Sequence, residues 1–396
     1  MGQRAENLEQ FAIDVILERR HGFRAAVLRA LLYALSFIYE RLVQLRLFLY
    51  RHRILREHTL GCLVISIGNL TVGGTGKTPI VEKFARAMRA GGRRVAILSR
   101  GYKSVPQRRP RKWWNFFGRK EPQPPRIVSD GKTLLLDSLT AGDEPYMLAN
   151  NLKDVIVLVD KDRVKSGRFA IKELKADTLL LDDGLQYLHL KHRLDIVLID
   201  RQAPFGNEYL LPRGTLREPP RNLRRASYIF ITKSTGEPND ELIKRIRRYN
   251  RTAEIIECAH KPLHLQDVLT GEQIPLERLR DTYIGSICGI AAPESFEGGL
   301  KKLGARLELS KRYTDHHRYT EAELNSFINR CVRRDLEMIV TTEKDAVRFP
   351  RLAKTDVPIY FLRVEIEILS GHESWEHCVA RICKPQPLLS PERFFA

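Results

Sequence analysis

The stretch that constrains the fold most is 61–92, GCLVISIGNLTVGGTGKTPIVEKFARAMRAGG, which has the pattern of a strand, a glycine-rich turn and a helix. Leu63–Ile67 is an apolar run of strand length, and the helical pattern ends at Gly91 and Gly92. The apolar residues of the helix recur on one face: Ile80, Val81, Phe84, Ala85 and Met88. A chain with this unit is predicted to place a buried strand directly before a helix.

The turn inside this unit has the composition of a phosphate-binding loop. Its candidate binding residues are Thr71, Val72, Gly73, Gly74, Thr75, Gly76, Lys77 and Thr78. Glycines let backbone N–H groups approach phosphate oxygens beside the positive end of a helix. Lys77 is expected to contact the β- and γ-phosphates, and Thr78 to ligate Mg²⁺. Thr71 stands where the consensus has glycine, so a turn that binds no phosphate remains the alternative.

Further apolar runs of strand length follow and alternate in part with helical segments: Val95–Leu98, Val155–Val159, Leu179–Leu181, Ile196–Ile199 and Tyr228–Ile231. This alternation predicts an α/β fold of the P-loop NTPase-like kind, with a mostly parallel sheet covered by helices on both faces. Ligands of such sheets bind at the carboxyl ends of the strands. The residues that follow each strand are therefore the first candidates for a site.

An acidic pair ends one of these strands, in the segment TLLLDDG at 178–184. P-loop proteins hold Mg²⁺ with a carboxylate at such a position, directly or through water, so Asp182 or Asp183 is the predicted metal ligand. Asp200 ends another strand and is the second candidate. A simple Asp-Gly turn without a metal is the alternative interpretation.

Two compact segments add further polar candidates. GDEP at 142–145 contains Asp143 and Glu144, which suit a general base or a metal ligand. LLPRGTLREPP at 210–220 places Arg217 and Glu218 in a loop, where an arginine would suit a phosphate. Helix caps and surface turns are the more common roles of such residues, and both alternatives remain.

The segment 24–55 is predicted to be a basic amphipathic helix. Between 19 and 56 there are nine arginines and a single acid, Glu40. The apolar stretch Ala30–Tyr39 is too short to cross a bilayer, which takes about 20 apolar residues. The helix therefore either lies on an anionic membrane surface or packs against its own domain.

The net charge of +19 predicts anionic partners, and charge alone does not choose among nucleic acid, acidic lipids and phosphorylated substrates. The proline-rich segment 100–126 is strongly basic and contains Trp113 and Trp114, which suit a membrane interface, stacking on a single-stranded nucleic acid or a solvated loop. The six cysteines form no C-x-x-C pair, so neither a zinc site nor a disulfide framework is expected.

After about residue 261 the pattern changes to a smaller α/β domain. Leu263–Val268 and Thr282–Ile287 are predicted to form a linking β-ribbon. A helix at 321–334 and strands at Met338–Thr341 and Ile359–Val364 are expected beyond it. The predicted division is an N-terminal helical segment at 1–60, a core at 61–260 and the smaller domain at 261–396.

These motifs, in this order, resemble the tetraacyldisaccharide 4'-kinases, the lipid A 4'-kinases of Gram-negative bacteria. The matching segments are SIGNLTVGGTGKTP at 66–79, SRGY at 99–102, GDEP, LDDGLQ at 181–186, LPRGTLREP at 211–219, GIAAPESF at 289–296, DHH at 315–317 and TTEKDAVR at 341–348. The resemblance spans roughly 60–365 and includes the Thr that departs from the loop consensus. It implies phosphorylation, with ATP and Mg²⁺, of the 4'-hydroxyl of a tetraacyldisaccharide 1-phosphate.

The resemblance also implies roles for individual residues and a location. It pairs Asp143 with His316 as a catalytic dyad beside Lys77, and it makes Tyr102, Arg217 and Glu218 candidates for shaping the substrate site. The implied partners are the lipid A disaccharide precursor and the anionic surface of the inner membrane on its cytoplasmic side, where the protein is peripheral or monotopic, with no nucleic acid and no obligate protein partner.

The sequence departs from the family pattern at Tyr187 and in its longer basic Trp-Trp loop, and two rival functions remain. Tyr187 follows LDDGLQ where the family often has His, so no role of that His is transferred. A GTPase would need an N-K-x-D-like motif, and ITKS at 231–234 lacks the Asp. A nucleic-acid-binding protein would use the positive charge and the Trp pair, but it would not need the GDEP and DHH segments.

Overall fold

The structure is a computed structural model that describes residues 3–101, 104, 123–350 and 355–384. Tyr102 and the Trp113 and Trp114 pair lie outside the described residues. Within them, one curled sheet runs through both the core and the C-terminal part of the chain. Its strands are β1 (Leu63–Asn69), β2 (Val95–Ser99), β3 (Arg126–Asp130), β4 (Ile156–Val159), β5 (Thr178–Asp182), β6 (Leu194–Asp200), β7 (Tyr228–Thr232), β8 (Glu254–Asp267), β9 (Gln273–Ile274), β10 (Tyr283–Cys288), β11 (Arg306–Arg312), β12 (Met338–Thr342) and β13 (Ile359–Ser370).

The sheet order is β11-β10-β12-β13-β8-β7-β6-β1-β5-β2-β4-β3, and β9 pairs with β8. The central strand β1 pairs in parallel with β5 and with β6, and every residue of β1 is buried. Ile67 is in register with Asp182. The carboxyl ends of β1 and β5 therefore lie side by side, which brings the glycine loop and the acidic pair to the same edge of the sheet.

Helices cover both faces of this sheet, which confirms the predicted fold class. They are α1 (Gln3–Ile16), α2 (Phe23–Arg51), α3 (Lys77–Ala90), α4 (Ser138–Ala141), α5 (Asp143–Asn151), α6 (Arg163–Lys172), α7 (Asp240–Tyr249), α8 (Pro293–Lys302), α9 (Glu321–Val332), α10 (Glu343–Ala346) and α11 (His372–Cys383). Alternate residues of β1 enter different hydrophobic clusters: Ile65 packs with α3 and α11 residues, whereas Val64 packs on the side of α6. The five apolar residues predicted for the α3 face are fully buried.

A long two-stranded ribbon connects the core with the C-terminal part. The start of β8 pairs in parallel with β7, and the rest of β8 pairs antiparallel with β13, from Glu257 opposite Ser370 to Asp267 opposite Tyr360. The prediction that Thr282–Ile287 belongs to this ribbon is wrong, because that run forms β10, which pairs in parallel with β11 and β12. The run is apolar because it is buried in this second parallel part of the sheet.

The basic N-terminal helix is α2, and its polar face packs against the core. The Ser36 hydroxyl donates to the Leu210 carbonyl oxygen at 2.8 Å, and the Tyr39 hydroxyl donates to the Arg217 carbonyl oxygen at 3.0 Å. No helix of the described residues is long and apolar enough to cross a membrane. The division at residues 60 and 260 stays a prediction, since the sheet is continuous through β8.

Candidate active site

The glycine loop is fixed at its start, before it enters α3. Gly73 and Gly76 have φ angles of 111° and 77°, which favour glycine. Thr71 forms an antiparallel bridge with Leu216, and the Val72 amide donates to the Thr215 carbonyl oxygen at 2.7 Å. Thr71 is thus buried in a short strand-like contact, which explains why a β-branched residue occupies the position of the consensus glycine.

A second set of contacts fixes the middle of the loop from the sheet. The Thr232 hydroxyl donates to the Thr75 carbonyl oxygen at 3.0 Å, and Lys233 Nζ donates to the Gly74 carbonyl oxygen at 3.2 Å. Asp200 pairs with the same lysine at 2.5 Å. Asp200, the second candidate for the metal carboxylate, is therefore engaged in holding the lysine that orders the loop.

Lys77 opens α3 and lies between the loop and the acidic pair. Its Nζ is 3.1 Å from Asn69 Oδ1 and 3.7 Å from Asp183 Oδ1. Asn69 also donates to the carbonyl oxygen and the hydroxyl of Thr71, so one amide side chain orients both the loop entrance and the lysine. Thr78, the next residue, is buried at the first turn of the helix. Sequence reasoning assigned no role to Asn69, although it stands in the quoted motif.

The two acids after β5 have different surroundings. Asp182 is buried, accepts a hydrogen bond from the Ser99 hydroxyl at 3.1 Å, and has no partner for Oδ1 among the described residues. Burial, with smaller effects of Glu144 and Asp183, raises the pKa of Asp182 to about 7. A carboxylate with one buried oxygen unpaired and a raised pKa is stabilised by a nearby cation. This environment fits an Mg²⁺ ligand.

Asp183 has a φ of 54° and turns toward the cations of the site. Arg217 Nη1 donates to both of its oxygens, at 2.9 and 2.8 Å. Burial raises the pKa of Asp183, but the charges of Lys77 and Arg217 outweigh that effect and hold the pKa below its usual value. Asp183 is therefore ionised at neutral pH and already paired with two cations, so Asp182 is the better candidate for direct contact with a metal.

Arg217 and Glu218, the substrate candidates, point in different directions. Arg217 faces Asp183, whereas Glu218 is buried behind the loop and accepts hydrogen bonds from Arg225, Asn222 and Gln186. Gln186 also donates to the Asn69 carbonyl oxygen at 3.1 Å. Glu218 thus supports the residues that surround the glycine loop.

Tyr187, which departs from the family pattern, has a structural environment of its own. Its hydroxyl accepts a hydrogen bond from the Arg163 amide at 3.0 Å and donates to Asp162 at 3.2 Å, at the start of α6. The Arg163 guanidinium lies over its ring, 5.0 Å from the centroid, and Arg163 Nη2 is 3.4 Å from the Asp182 carbonyl oxygen. Tyr187 therefore holds a buried arginine behind the acidic pair.

Asp143 and His316, which are 173 residues apart, are brought together between the core and the C-terminal part. His316 Nδ1 lies 3.3 Å from Asp143 Oδ2, and His316 has a φ of 66°. Burial raises the pKa of Asp143, but the hydrogen bond with His316 and the charge of Arg348 lower this pKa by more than burial raises it. The pKa of Asp143 therefore lies below its usual value. Asp143 is thus an ionised partner for the imidazole.

Three cations of the described part of the chain surround this pair, and sequence reasoning gave none of them a role. Arg348 Nε donates to Asp143 Oδ2 at 2.8 Å, and Arg318 Nη2 donates to Oδ1 at 2.9 Å. Lys344 Nζ is 3.4 Å from His316 Nε2. Lys344 and Arg348 belong to the motif TTEKDAVR, and Arg318 follows DHH. The sequence motifs therefore included these segments, but they did not indicate that the three cations contact Asp143 and His316.

Glu144 connects the dyad with the acidic pair. Lys344 Nζ lies 3.7 Å from Glu144 Oε1 and 3.5 Å from Asp315 Oδ1, and the Glu144 charge contributes to the raised pKa of Asp182. The dyad and the metal candidate therefore share one electrostatic environment. No group of three or more metal-ligating side chains occurs among the described residues.

The parallel sheet, the glycine loop with Lys77 and the buried acid at the end of β5 define an α/β protein of the P-loop NTPase-like class. The sequence model described as Tetraacyldisaccharide-1-P 4'-kinase matches residues 28–384, and the chain belongs to this family of ATP-dependent kinases of lipid A biosynthesis. This confirms the family expected from the ordered motifs.

Known relatives match over most of their length. The tetraacyldisaccharide 4'-kinase of Syntrophus aciditrophicus is 38% identical over 364 residues, covering 89% of this chain and 93% of the relative. That of Halothermothrix orenii is 32% identical over 380 residues, covering 92% and 95%. The crystal structure of the "apo" form of LpxK from Aquifex aeolicus in complex with ATP matches with a TM-score of 0.68 at 27% identity, covering 90% of this chain and 99% of that chain.

Proposed function

We propose that this chain transfers the γ-phosphoryl group of ATP to the 4'-hydroxyl of a tetraacyldisaccharide 1-phosphate, with Asp143 and His316 accepting the hydroxyl proton. The observation that carries the proposal is the 3.3 Å contact between His316 Nδ1 and Asp143 Oδ2, which joins two distant parts of the chain. A sugar hydroxyl is a poor nucleophile, so an oriented base is the group this transfer needs.

The orientation of the imidazole defines the base. When Nδ1–H donates to Asp143, the proton acceptor is Nε2 on the opposite side of the ring, where the Lys344 ammonium at 3.4 Å would give way to the substrate hydroxyl. As the hydroxyl oxygen bonds to the γ-phosphorus, its proton passes to Nε2 of His316, and the bond from the γ-phosphorus to the bridging oxygen breaks to release ADP. The ionised Asp143 stabilises the imidazolium that forms.

The other site residues serve the phosphates. Backbone N–H groups of 71–78 and the Lys77 ammonium offset the negative charge of the β- and γ-phosphates. Thr78 and Asp182 would hold Mg²⁺, with Asp183 beside them, and the ion would supply positive charge to the phosphate oxygens. Arg217 would contact the substrate or the phosphates, and Tyr102 stays a candidate for the substrate side.

We also propose that α2 rests on the anionic surface of the inner membrane, on the cytoplasmic side. Its exposed apolar residues recur every three or four positions and form a stripe centred opposite Ser36: Phe23, Val27, Leu31, Leu35, Ile38, Leu42 and Leu45. Phe23 is 84% exposed and Leu42 is 59% exposed. Two faces of α2 would then serve the two roles left open by the sequence: the polar face packs on the core, and the apolar stripe would enter the lipid interface.

The proposed reaction is tested by incubating the purified chain with ATP, Mg²⁺ and a tetraacyldisaccharide 1-phosphate, and by locating the new phosphate on the product by mass spectrometry and NMR. Phosphate at the 4'-position is the expected result. ADP release without a phosphorylated lipid, or phosphate on another hydroxyl, would contradict the proposed acceptor.

The membrane proposal predicts that Phe23→Ser, Leu31→Ser and Leu42→Ser together weaken binding to phosphatidylglycerol vesicles about 10³-fold or more, because each fully buried Leu or Phe is worth about 1.5–3 kcal/mol and about 1.4 kcal/mol is a tenfold change. Co-sedimentation measures this binding, and turnover in detergent should stay near wild type. Ser36→Ala is the matched control, since it changes the same helix on the face that contacts the core. Unchanged vesicle binding by the triple variant would contradict the assignment of the stripe.

A further inference from the structure

A network of buried charges and one amide side chain joins four elements of the fold: α3, α5, α10 and β13. Arg363, on β13, donates to Glu82 Oε1 on α3 and, at 2.6 Å, to Glu343 Oε2 at the start of α10. The Asn151 side chain, at the end of α5, donates to both glutamates. Arg363, Glu82 and Glu343 are all less than 9% exposed. Their contacts lie inside the protein, where charges are costly unless paired.

Three of the elements tied by this network, α3, α5 and α10, also carry a residue of the site. The helix α3 begins with Lys77 and Thr78, and Glu82 follows one turn later. The helix α5 has Asp143 at its first position and Asn151 at its last. The turn that Glu343 opens continues with Lys344, whose Nζ contacts His316, and a few residues later with Arg348, which contacts Asp143.

The energetics of the network favour a positional role over a purely stabilising one. Buried ion pairs contribute little to stability relative to apolar residues of the same volume, because both charges lose their hydration. They do fix geometry, since a guanidinium has a rigid planar set of donors. Arg363 bonds two carboxylates from two separate elements, so it sets the distance between α3 and the 343–348 turn.

We propose that Arg363 is a positioning residue for phosphoryl transfer. Through Glu82 and Glu343 it fixes the position of α3 relative to the 343–348 turn, and this turn contacts His316. The inference rests on the proposed function of the dyad. A displacement of about 1 Å between reacting groups lowers rates about 100-fold. Loss of Arg363 therefore slows the chemical step and leaves the ATP contacts of the glycine loop in place.

The test compares Arg363→Met with Arg363→Lys and with the apolar triple variant Glu82→Leu, Arg363→Met, Glu343→Leu. We expect Arg363→Met to lower kcat about 30- to 100-fold with less than a threefold change in the KM for ATP. Arg363→Lys, which keeps the charge but not the fork of donors, should recover part of kcat. The apolar variant should regain the melting temperature of the wild type and still show a lowered kcat.

Arg312→Met is the matched control. It breaks an ion pair with Glu297, which is also buried in the C-terminal part, but that pair joins α8 and β11, which carry no site residue. Its kcat should stay within twofold of wild type. A wild-type kcat in the apolar variant, or equal losses in Arg312→Met and Arg363→Met, would overturn the proposal.

A second measurement separates this inference from the proposed reaction. Amide hydrogen exchange in the apo protein should show faster exchange at 343–348 and in α5 in Arg363→Met, with α9 unchanged. If the wild type fails to phosphorylate the disaccharide, the proposed function fails, while the exchange result still tests positioning. Unchanged exchange at 343–348 would overturn the positioning role whatever the substrate.

Discussion

Lys77→Ala is expected to lower kcat about 10²- to 10³-fold, the usual loss when one preorganised group that stabilises transition-state charge is removed. The Lys77 ammonium contacts only Asn69 and Asp183 by hydrogen bond or ion pair within the described residues, and both contacts are at the edge of the loop. It has no role in the buried core. The melting temperature should therefore change little, and ADP release at saturating ATP is the measurement.

Lys83→Ala is the control for Lys77→Ala, because it removes the same charge from the same helix. Lys83 Nζ donates to the Ile366 carbonyl oxygen on the ribbon and lies over the Trp375 ring, away from the acidic pair. Its turnover should stay within about threefold of wild type. If Lys77→Ala turns over about as fast as Lys83→Ala, the assignment of the glycine loop as a phosphate-binding loop would be contradicted.

Local patterns predicted the core of this fold well, and the reason is physical. In 61–92, the spacing of the apolar residues, the glycines and the end of the helix all depend on contacts within a few residues, so the sequence contains them directly. The parallel strands were likewise visible as apolar runs because both of their faces are buried. Asp182 could be chosen as a candidate because it directly ends such a run.

Contacts between distant segments could not be predicted in this way. The run Thr282–Ile287 has the composition of a strand, but composition does not name its partners, and β13 takes the place beside β8 that this run was expected to fill. The cations around Asp143 come from two later segments, at Arg318 and Arg348. No local period relates those positions, so only the resemblance to a family pointed to His316.

The same limit applies to the edge strand β3 and to the N-terminal helix. β3 is short, only partly buried and paired on one side, so its pattern was too weak to mark it as a strand. For α2, the amphipathic pattern showed an apolar stripe but could not show which face meets the core. The polar contacts of Ser36 and Tyr39 decide that question in the structure.

The proton-accepting pair gives the second large effect. Asp143→Asn and His316→Ala are each expected to lower kcat about 10²- to 10⁴-fold, the range for a positioned acid or base, with little change in the KM for ATP. Asn is preferred to Ala because Arg348, fully buried, needs an acceptor at this position as well as Asp345. His317→Ala is the control, since this neighbouring imidazole pairs with Glu323 at 3.1 Å and stacks on Tyr313.

The double variant carries the sharpest test of the pair. If Asp143 acts only by orienting His316 and stabilising its protonated form, removal of the histidine leaves the carboxylate with nothing to assist, and the double variant should be little slower than His316→Ala. Kinetics of all four proteins in one buffer measure this coupling. Fully additive losses would mean that Asp143 and His316 act separately, and Asp143 would then be better explained as a metal ligand or as a base in its own right.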